Sequence, residues 1–217
     1  MTFKAALFDM DGLLLDTERV GMDVFRTLMA AYDVTAQASD TLYRNVVGTS
    51  FANTRARVIE AVPHVDIDAM DADWAAGVEA AMAKAVPLRP RVLETLSALH
   101  EKRVPMAVVT TTRTPRARHH LERAGLLPFF VDVIGFDRVS APKPDPAPYT
   151  MGAQVVGFDP GHCAAFEDSD PGVHSATAAG CTVWQIPDLR PKDRAFPLLG
   201  QSIATDLREA VEKAGLL

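Results

Sequence analysis

Asp9 and Asp11 directly follow the short apolar run at residues 5–8 and lie two positions apart. If the strand geometry continues through them, both side chains point to the same side of the chain. Such a pair could bind a cation or transfer protons. The pair is not specific on its own, because acidic residues often end strands, and a turn with two solvated aspartates is the alternative. A calcium loop does not fit, since Gly12 occupies the fourth position and that loop needs glycine at the sixth.

Glu167 and Asp168 supply a second acidic pair, after the apolar run at residues 163–166. Two unit charges 4 Å apart repel by about 4 kcal/mol at an effective dielectric constant of 20. A cluster of carboxylates therefore stays ionised only beside a strong cation. Oxygen ligands without histidine or thiol favour a hard ion, and Mg²⁺ is common where phosphate is the other ligand. The alternative is that the two strands are not neighbours and that the acids are solvated.

Thr110 and Lys143 are candidates for binding an anionic group. Thr110 ends the apolar run at residues 106–109, and the turn N–H groups of Thr111 and Thr112 could contact phosphoryl oxygens. Two prolines flank Lys143 and stiffen the backbone that presents it. A single lysine in a proline-rich loop is usually solvated, so the interpretation of Lys143 depends on the acids and hydroxyls around it.

The elements that must position these residues are short apolar runs separated by helical segments. Runs of this kind, without alternation, are typical of strands buried on both faces. We expect N-caps at Thr114 and Asp170, and helix ends at Gly125 and Gly180. Alternating strands and helices predict an open parallel sheet, whose ligand site lies at the carboxyl ends of the strands. The predicted strands are residues 5–8, 106–109, 130–134, 163–166 and 182–186.

Residues 17–87 interrupt the alternation with a helical segment that contains no strand-like run. Apolar residues with helical spacing begin near Val20, and the alanine-rich stretch at 74–84 also predicts a helix. Two prolines close together, Pro87 and Pro90, indicate a linker after it. We therefore expect an α/β core formed by residues 1–16 and 88–217, with an inserted helical domain at 17–87.

Composition excludes several other classes of protein. The 217 residues are 48% hydrophobic and carry a formal net charge of −6, which argues against a nucleic-acid-binding protein. Cys163 and Cys181 show no metal-ligand spacing and are interpreted as buried thiols. The apolar run at the N-terminus is too short for a signal peptide, and no stretch is long enough to span a membrane. We expect a soluble, cytoplasmic protein.

Four motifs in order give the sequence a resemblance to the haloacid dehalogenase-like (HAD) superfamily, which covers essentially the whole chain. The branch with a helical cap after the first motif, which includes phosphatases and β-phosphoglucomutase, is the most similar. The resemblance implies a Rossmann-like open parallel sheet core with an inserted all-helical cap domain. The motifs are DMDGLLLDT from Asp9, VVTTT with Thr110, KPDP from Lys143 and FEDSDPG with Glu167 and Asp168.

The catalytic roles follow from the resemblance. Asp9 would attack phosphorus and form an aspartyl phosphate. Asp11 would protonate the leaving oxygen and then accept a proton from the attacking water. Thr110 and Lys143 would bind the transferring phosphoryl group. Further phosphate contacts are expected from Thr111, Thr112 and Arg113, the last because some relatives place a basic residue there.

The resemblance also implies a Mg²⁺ site. Asp9, the backbone carbonyl of Asp11 and Asp168 would bind the ion, and Glu167 would act through a coordinated water. The presence of Asp11 argues against a dehalogenase, because that branch lacks the second aspartate. The expected activity is a phosphomonoester hydrolase acting on a small phosphorylated metabolite, either a sugar phosphate or a nucleotide-like compound. We expect a monomer without a nucleic-acid or membrane partner.

Departures from the family pattern favour hydrolysis. The mutase has a histidine where this chain has Gly21, and its cap arginine aligns near Phe51. A phosphosugar mutase is therefore the less favoured alternative. A non-catalytic binding protein is a second alternative, although no catalytic acid is missing. In the third motif Asp145 precedes Pro146, the reverse of the usual order, which affects the expected local turn.

Overall fold

The computed structural model describes residues 3–47, 49, 51–191 and 195–217. The chain divides into two compact units. The α/β unit consists of Met1–Asp16, Val86–Asp188 and Phe196–Leu217. The helical unit consists of Thr17–Ala85 together with Leu189–Ala195. The sequence pattern did not indicate that this second segment groups with the helices.

The helical unit contains four α-helices in its described part. A core of methionine, valine and aromatic side chains joins them, and the rings of Phe25 and Trp74 pack 5.1 Å apart. Trp74 Nε1 donates a hydrogen bond to the carbonyl of Gly21, so one end of that large side chain is satisfied inside the unit. The helices are α1 (Thr17–Ala30), α2 (Ala36–Val46), α3 (Phe51–Ala61) and α4 (Ile67–Lys84).

The described part of the α/β unit is built around a six-stranded sheet with the strand order β3-β2-β1-β4-β5-β6. Every neighbouring pair is parallel, which confirms the expected open parallel sheet. The strands are β1 (Ala5–Phe8), β2 (Met106–Val109), β3 (Asp132–Ile134), β4 (Cys163–Glu167), β5 (Thr182–Gln185) and β6 (Ser202–Ile203).

Helices cover both faces of the sheet, which is why the strands are apolar on both sides. Along β1, Phe8 belongs to one core cluster and Leu7 to the other, as the alternation of a strand requires. Residues of α5, α6 and α9 line the Phe8 face, and residues of α7 and α8 line the Leu7 face. These helices are α5 (Val92–Glu101), α6 (Thr114–Arg123), α7 (Ala147–Val156), α8 (Asp170–Ala179) and α9 (Leu207–Lys213).

The strand register brings the candidate site residues to one level. Phe8 of β1 pairs with Val108 of β2 on one side and with Phe166 of β4 on the other. Asp9 and Glu167 follow Phe8 and Phe166 directly. They therefore lie side by side at the carboxyl edge of neighbouring strands. The alternative in which these two strands are separated is excluded.

Two predicted helix caps are corrected by the structure. Thr114 and Asp170 are the first residues of α6 and α8, not their N-caps. The Thr114 hydroxyl donates to Asp137 Oδ1, which also accepts from the Thr114 N–H, and Ser169 caps α8 by accepting from the N–H three residues later. The predicted helix end at Gly180 is confirmed, with a φ of 94° that favours glycine.

Among the described residues, no helix has the length and apolar character needed to cross a membrane.

The two cysteines provide a test of the core. Cys163 and Cys181 are free and buried, and burial raises their thiol pKa values to about 11 and about 12. Because the thiolate is the reactive form, a thiol reagent at pH 8 should label the native protein at least about 100-fold more slowly than the denatured protein. Ellman's reagent with and without guanidinium measures this. Rapid labelling of both native thiols would contradict the described packing.

Candidate active site

Lys143 lies at the centre of the site and makes three hydrogen bonds from its ammonium group. Nζ donates to Asp9 Oδ1 at 2.5 Å, to Glu167 Oε1 at 2.5 Å and to the carbonyl oxygen of Val109 at 2.8 Å. The side chain is only 2% exposed. An ammonium group has three donors, so each of them is satisfied by the protein at this buried position. The structure therefore brings together three residues that lie far apart in the sequence.

The charges at this centre do not balance. Two buried carboxylates surround one ammonium group, which leaves an excess negative charge. Burial raises the pKa of Asp9 to about 8; Lys143 opposes this shift and the Glu167 charge adds to it. Burial alone would lower the pKa of Lys143, but the charges of Asp9 and Glu167 outweigh it and raise that pKa. The lysine stays protonated, and the excess negative charge must be offset by a proton or by another cation.

An acidic cluster that could bind a metal ion lies at the same place. One carboxylate oxygen each from Asp9, Glu167 and Asp168 lies within 4.8 Å of the others. These three ligands offer only oxygen, and the excess negative charge beside them favours a divalent cation. The donor set therefore fits a hard ion. The carboxylate of Asp11 accepts a hydrogen bond from Thr112, in the turn after β2.

Asp11 is joined to the turn after β2. Thr112 Oγ1 donates to Asp11 Oδ2 at 2.8 Å, and the N–H of Thr112 donates to Thr110 Oγ1 at 3.0 Å. Gly12 has a φ of 82°, which allows the chain to turn immediately after this aspartate. Thr112 was predicted to contact phosphate. In the structure its side chain donates to Asp11 and its backbone N–H donates to Thr110, while the phosphate contact stays a prediction.

Thr111 and Arg113 lie at the exposed rim of the same turn. The guanidinium group of Arg113 lies 5.8 Å from the ring centroid of Phe136, in a cation–π arrangement. The sequence predicted Arg113 near phosphate but gave no indication of this aromatic partner. Its role in phosphate binding, like the roles of the other predicted site residues, remains a proposal.

Glu167 is surrounded by donors that sequence reasoning missed. Tyr149 donates its hydroxyl to Glu167 Oε1 at 2.7 Å. Ser169 approaches Glu167 Oε2 with its backbone N–H at 3.3 Å and its hydroxyl at 3.1 Å. Ser169 belongs to the fourth motif and could have been considered. Tyr149 gives no local signal, because its partner is 18 positions away on another element.

The unusual order of the third motif has a structural explanation. Asp145 Oδ1 accepts a hydrogen bond from the N–H of Ala147, the first residue of α7, at 2.9 Å. Its backbone carbonyl accepts from the Ser175 hydroxyl at 2.5 Å. Asp145 therefore stabilises the start of α7 and the loop that presents Lys143, and the lysine reaches the site despite the reversed order.

A parallel α/β sheet with clustered acids and a buried lysine at its carboxyl edge is the arrangement expected of a phosphoryl-transfer enzyme. Residues 6–186 match the family described as haloacid dehalogenase-like hydrolase. The chain belongs to this family, and the resemblance inferred from its four motifs is confirmed. It is a phosphomonoester hydrolase, the class that its named relatives share.

Two curated relatives and one solved structure illustrate the similarity. Hexitol phosphatase A of Escherichia coli (strain K12) is 32% identical over 193 residues, covering 84% of this chain and 82% of that protein. Fructose-1-phosphate phosphatase YqaB of the same organism is 30% identical over 180 residues, with 82% and 93% coverage. A HAD family hydrolase from Deinococcus radiodurans R1, solved with bound phosphate and sodium, has a TM-score of 0.81 and 27% identity over 99% of this chain and 97% of that chain.

Gly172 provides a test of how closely the site is packed. A Cβ atom at this position would lie 1.8 Å from Glu167 Oε1, so any side chain must displace the carboxylate. We expect Gly172→Ala to lower the free energy of unfolding by about 1–3 kcal/mol. Chemical denaturation measures the change.

Gly161 offers a matched control in the same unit, because a Cβ atom added there would have no neighbouring atom within 4 Å. Gly161→Ala should change the free energy of unfolding by less than about 0.5 kcal/mol. Equal effects of the two substitutions would contradict the described contact between Gly172 and Glu167.

Proposed function

We propose that the protein is a Mg²⁺-dependent phosphatase that uses Asp9 as its nucleophile and acts on a small sugar phosphate or sugar-alcohol phosphate. The observation that carries this proposal is the ammonium group of Lys143 between Asp9 and Glu167, beside the acidic cluster. This arrangement supplies positive charge to a phosphoryl group while leaving excess negative charge for a metal ion.

The proposed reaction has two steps. In the first, a carboxylate oxygen of Asp9 forms a bond to phosphorus, the bond from phosphorus to the ester oxygen breaks, and Asp11 gives a proton to the leaving alcohol. In the second, water attacks phosphorus, Asp11 takes a proton from that water, and the bond to Asp9 breaks. Inorganic phosphate leaves and both aspartates return to their starting states.

The residues around Asp9 are suited to orient these steps. Thr112 donates to Asp11 and fixes the side chain that would transfer the proton. Lys143 offers a buried ammonium group beside the nucleophile, where charge on the phosphoryl oxygens would be stabilised. Thr110 lies at the neighbouring strand end, only 3% exposed, and would contact the same group.

The metal in this proposal is Mg²⁺. Asp9 and Asp168 would bind it, together with the backbone carbonyl of Asp11, while Glu167 would contribute charge at close range. When bound, the ion would neutralise the phosphoryl group and the nucleophile so that the two anions can approach each other.

The substrate class is suggested by the relatives. Their names specify fructose 1-phosphate in one case and hexitol phosphates in the other. We therefore propose a phosphorylated sugar or sugar alcohol for this chain, in preference to a nucleotide. A panel of hexose, pentose and hexitol phosphates, compared by kcat/KM, would identify the preferred member.

Contacts within the helical unit support hydrolysis in preference to mutase activity. A Cβ atom on Gly21 would lie 2.5 Å from the Tyr43 hydroxyl oxygen, which itself donates to Glu18 Oε2 at 2.9 Å. The histidine of the mutases would therefore require this tyrosine to move. Arg55, one turn after Phe51, forms ion pairs with Asp68 and Asp71, so its charge is already offset.

The nucleophile is tested by Asp9→Asn. Asparagine keeps the size of the side chain but cannot attack phosphorus, so we expect kcat for an aryl phosphate with Mg²⁺ to fall by at least about 1000-fold. Asp159→Asn is the matched control, since Asp159 precedes β4 at the opposite end of the strand and is exposed. Its kcat should stay within about twofold of the wild-type value. Full activity in Asp9→Asn, or no Mg²⁺-dependent turnover by the wild type, would overturn the proposal.

The pH dependence of metal binding provides a further prediction. With a pKa of about 8 for Asp9, the carboxyl is largely protonated at pH 6–7, and the metal must displace that proton. The affinity for Mg²⁺ should therefore rise with pH by up to about tenfold per unit and level off above the pKa. Calorimetric titration at several pH values measures the affinity, and buffers of different ionisation enthalpy measure proton release. An affinity that is independent of pH from about 6 to about 8 would contradict the described charge balance.

A further inference from the structure

Tyr149 is a fully buried residue that contacts two members of the site. Its hydroxyl donates to Glu167 Oε1 at 2.7 Å, and its ring centroid lies 5.1 Å from Lys143 Nζ. Tyr149 is on α7, and the rest of its side chain packs with Ala153 and Val156 in the core beneath the sheet. One side chain therefore connects the hydrophobic core to both charged groups.

The hydrogen bonds around Glu167 show what the hydroxyl adds. Oε1 accepts from both Lys143 and Tyr149, and Oε2 accepts from Ser169. Because Glu167 is completely buried, removing a donor leaves a buried carboxylate oxygen with one protein hydrogen bond fewer. Without the tyrosine hydroxyl, the lysine would be the remaining donor to Oε1 in the described contacts.

The position of Lys143 depends on this balance. Its ammonium group lies 2.5 Å from an oxygen of Asp9 and 2.5 Å from an oxygen of Glu167. A hydrogen bond from Tyr149 satisfies part of the negative charge on Glu167, which weakens the competition of that carboxylate for the lysine. Loss of the hydroxyl would draw Nζ towards Glu167 and away from Asp9.

We propose that Tyr149 is a positioning residue whose hydroxyl fixes Glu167 and thereby places Lys143 against Asp9. The inference rests on the proposed phosphatase function and deepens it. Tyr149 need not touch the substrate. Its effect is transmitted through the glutamate to the lysine and to the acidic cluster that would bind the metal.

If Tyr149 contributes only to core packing, a different result is expected. The phenylalanine side chain retains the aromatic ring. It therefore keeps the packing with Ala153 and Val156 and the contact of the ring with the Lys143 ammonium group. If only packing matters, Tyr149→Phe should have the kinetic and metal-binding properties of the wild type. If the hydroxyl positions Glu167, both properties should change although the core stays filled.

The experiment uses the full chain and an aryl phosphate as substrate. For wild type and Tyr149→Phe, kcat, KM and the Mg²⁺ concentration at half-maximal rate are measured well below the Tm of each protein. Calorimetry with Mg²⁺ alone gives the metal affinity independently of turnover. We expect Tyr149→Phe to weaken Mg²⁺ binding about tenfold and to lower kcat about tenfold, with a smaller change in KM.

Tyr43→Phe is the matched control. Tyr43 is also buried and also donates its hydroxyl to a glutamate, Glu18, but it does so inside the helical unit. We expect this substitution to lower the Tm while Mg²⁺ affinity and kcat stay within about twofold of the wild-type values. The pair of variants separates loss of a buried hydrogen bond from loss of the proposed positioning.

The possible failures are distinguishable. Wild-type metal affinity and kcat in Tyr149→Phe, whatever its Tm, would overturn this inference and leave the phosphatase proposal intact. An equal loss of Mg²⁺ affinity in Tyr43→Phe would also overturn it. Absence of Mg²⁺-dependent turnover in the wild type would instead overturn the phosphatase proposal, and the calorimetric comparison would still test whether Tyr149 influences metal binding.

Discussion

The buried ammonium group of Lys143 between Asp9 and Glu167 is the interaction on which the rest of the site depends. A charge at this depth is tolerated only when its partners are placed to satisfy it, and removing one partner of such a pair typically costs about 3–5 kcal/mol. The parallel register of β1 and β4 supplies the two carboxylates at one level. The loop before α7 supplies the lysine. The sheet and the loop must therefore both form for the ion pairs to exist.

The same interaction couples stability to chemistry. Burial raises the pKa of Asp9 to about 8, and the neighbouring Glu167 charge adds to this shift while Lys143 opposes it. A divalent cation offsets that charge and at the same time keeps the aspartate ionised, which is the state a nucleophile needs. Without a metal ion the site therefore carries excess negative charge. We expect its charges to balance only when the metal and the anionic substrate are both bound.

Much of the sheet could be predicted from the sequence, because strands covered on both faces are uninterrupted apolar runs. Residues 5–8 and 106–109 match β1 and β2. The third strand begins at Asp132, two residues later than expected; Phe130 still caps the preceding 3-10 turn, because its N–H donates to the carbonyl of Leu127. β6 was missed because its two residues are exposed at the edge of the sheet and show no apolar pattern.

The acids, the lysine and the threonines of the site could be identified because they stand at strand ends or in motifs, which are local features. Contacts between side chains of different helices and strands could not be identified in this way. The hydrogen bond from Tyr149 to Glu167 depends on the face that α7 turns towards the sheet. The cation–π contact of Arg113 depends on Phe136, beyond another strand. One sequence contains no signal for such pairings, since they arise only when helices pack.

The central claim is that the phosphoryl group is transferred to Asp9, and trapping the intermediate tests it most directly. The enzyme would be mixed with substrate and Mg²⁺, quenched in acid on the millisecond timescale, digested and analysed by tandem mass spectrometry. We expect one phosphoryl group on the peptide containing Asp9, located at that residue, and its absence from Asp9→Asn. A phosphoryl group found instead on a threonine or lysine of the site would contradict it.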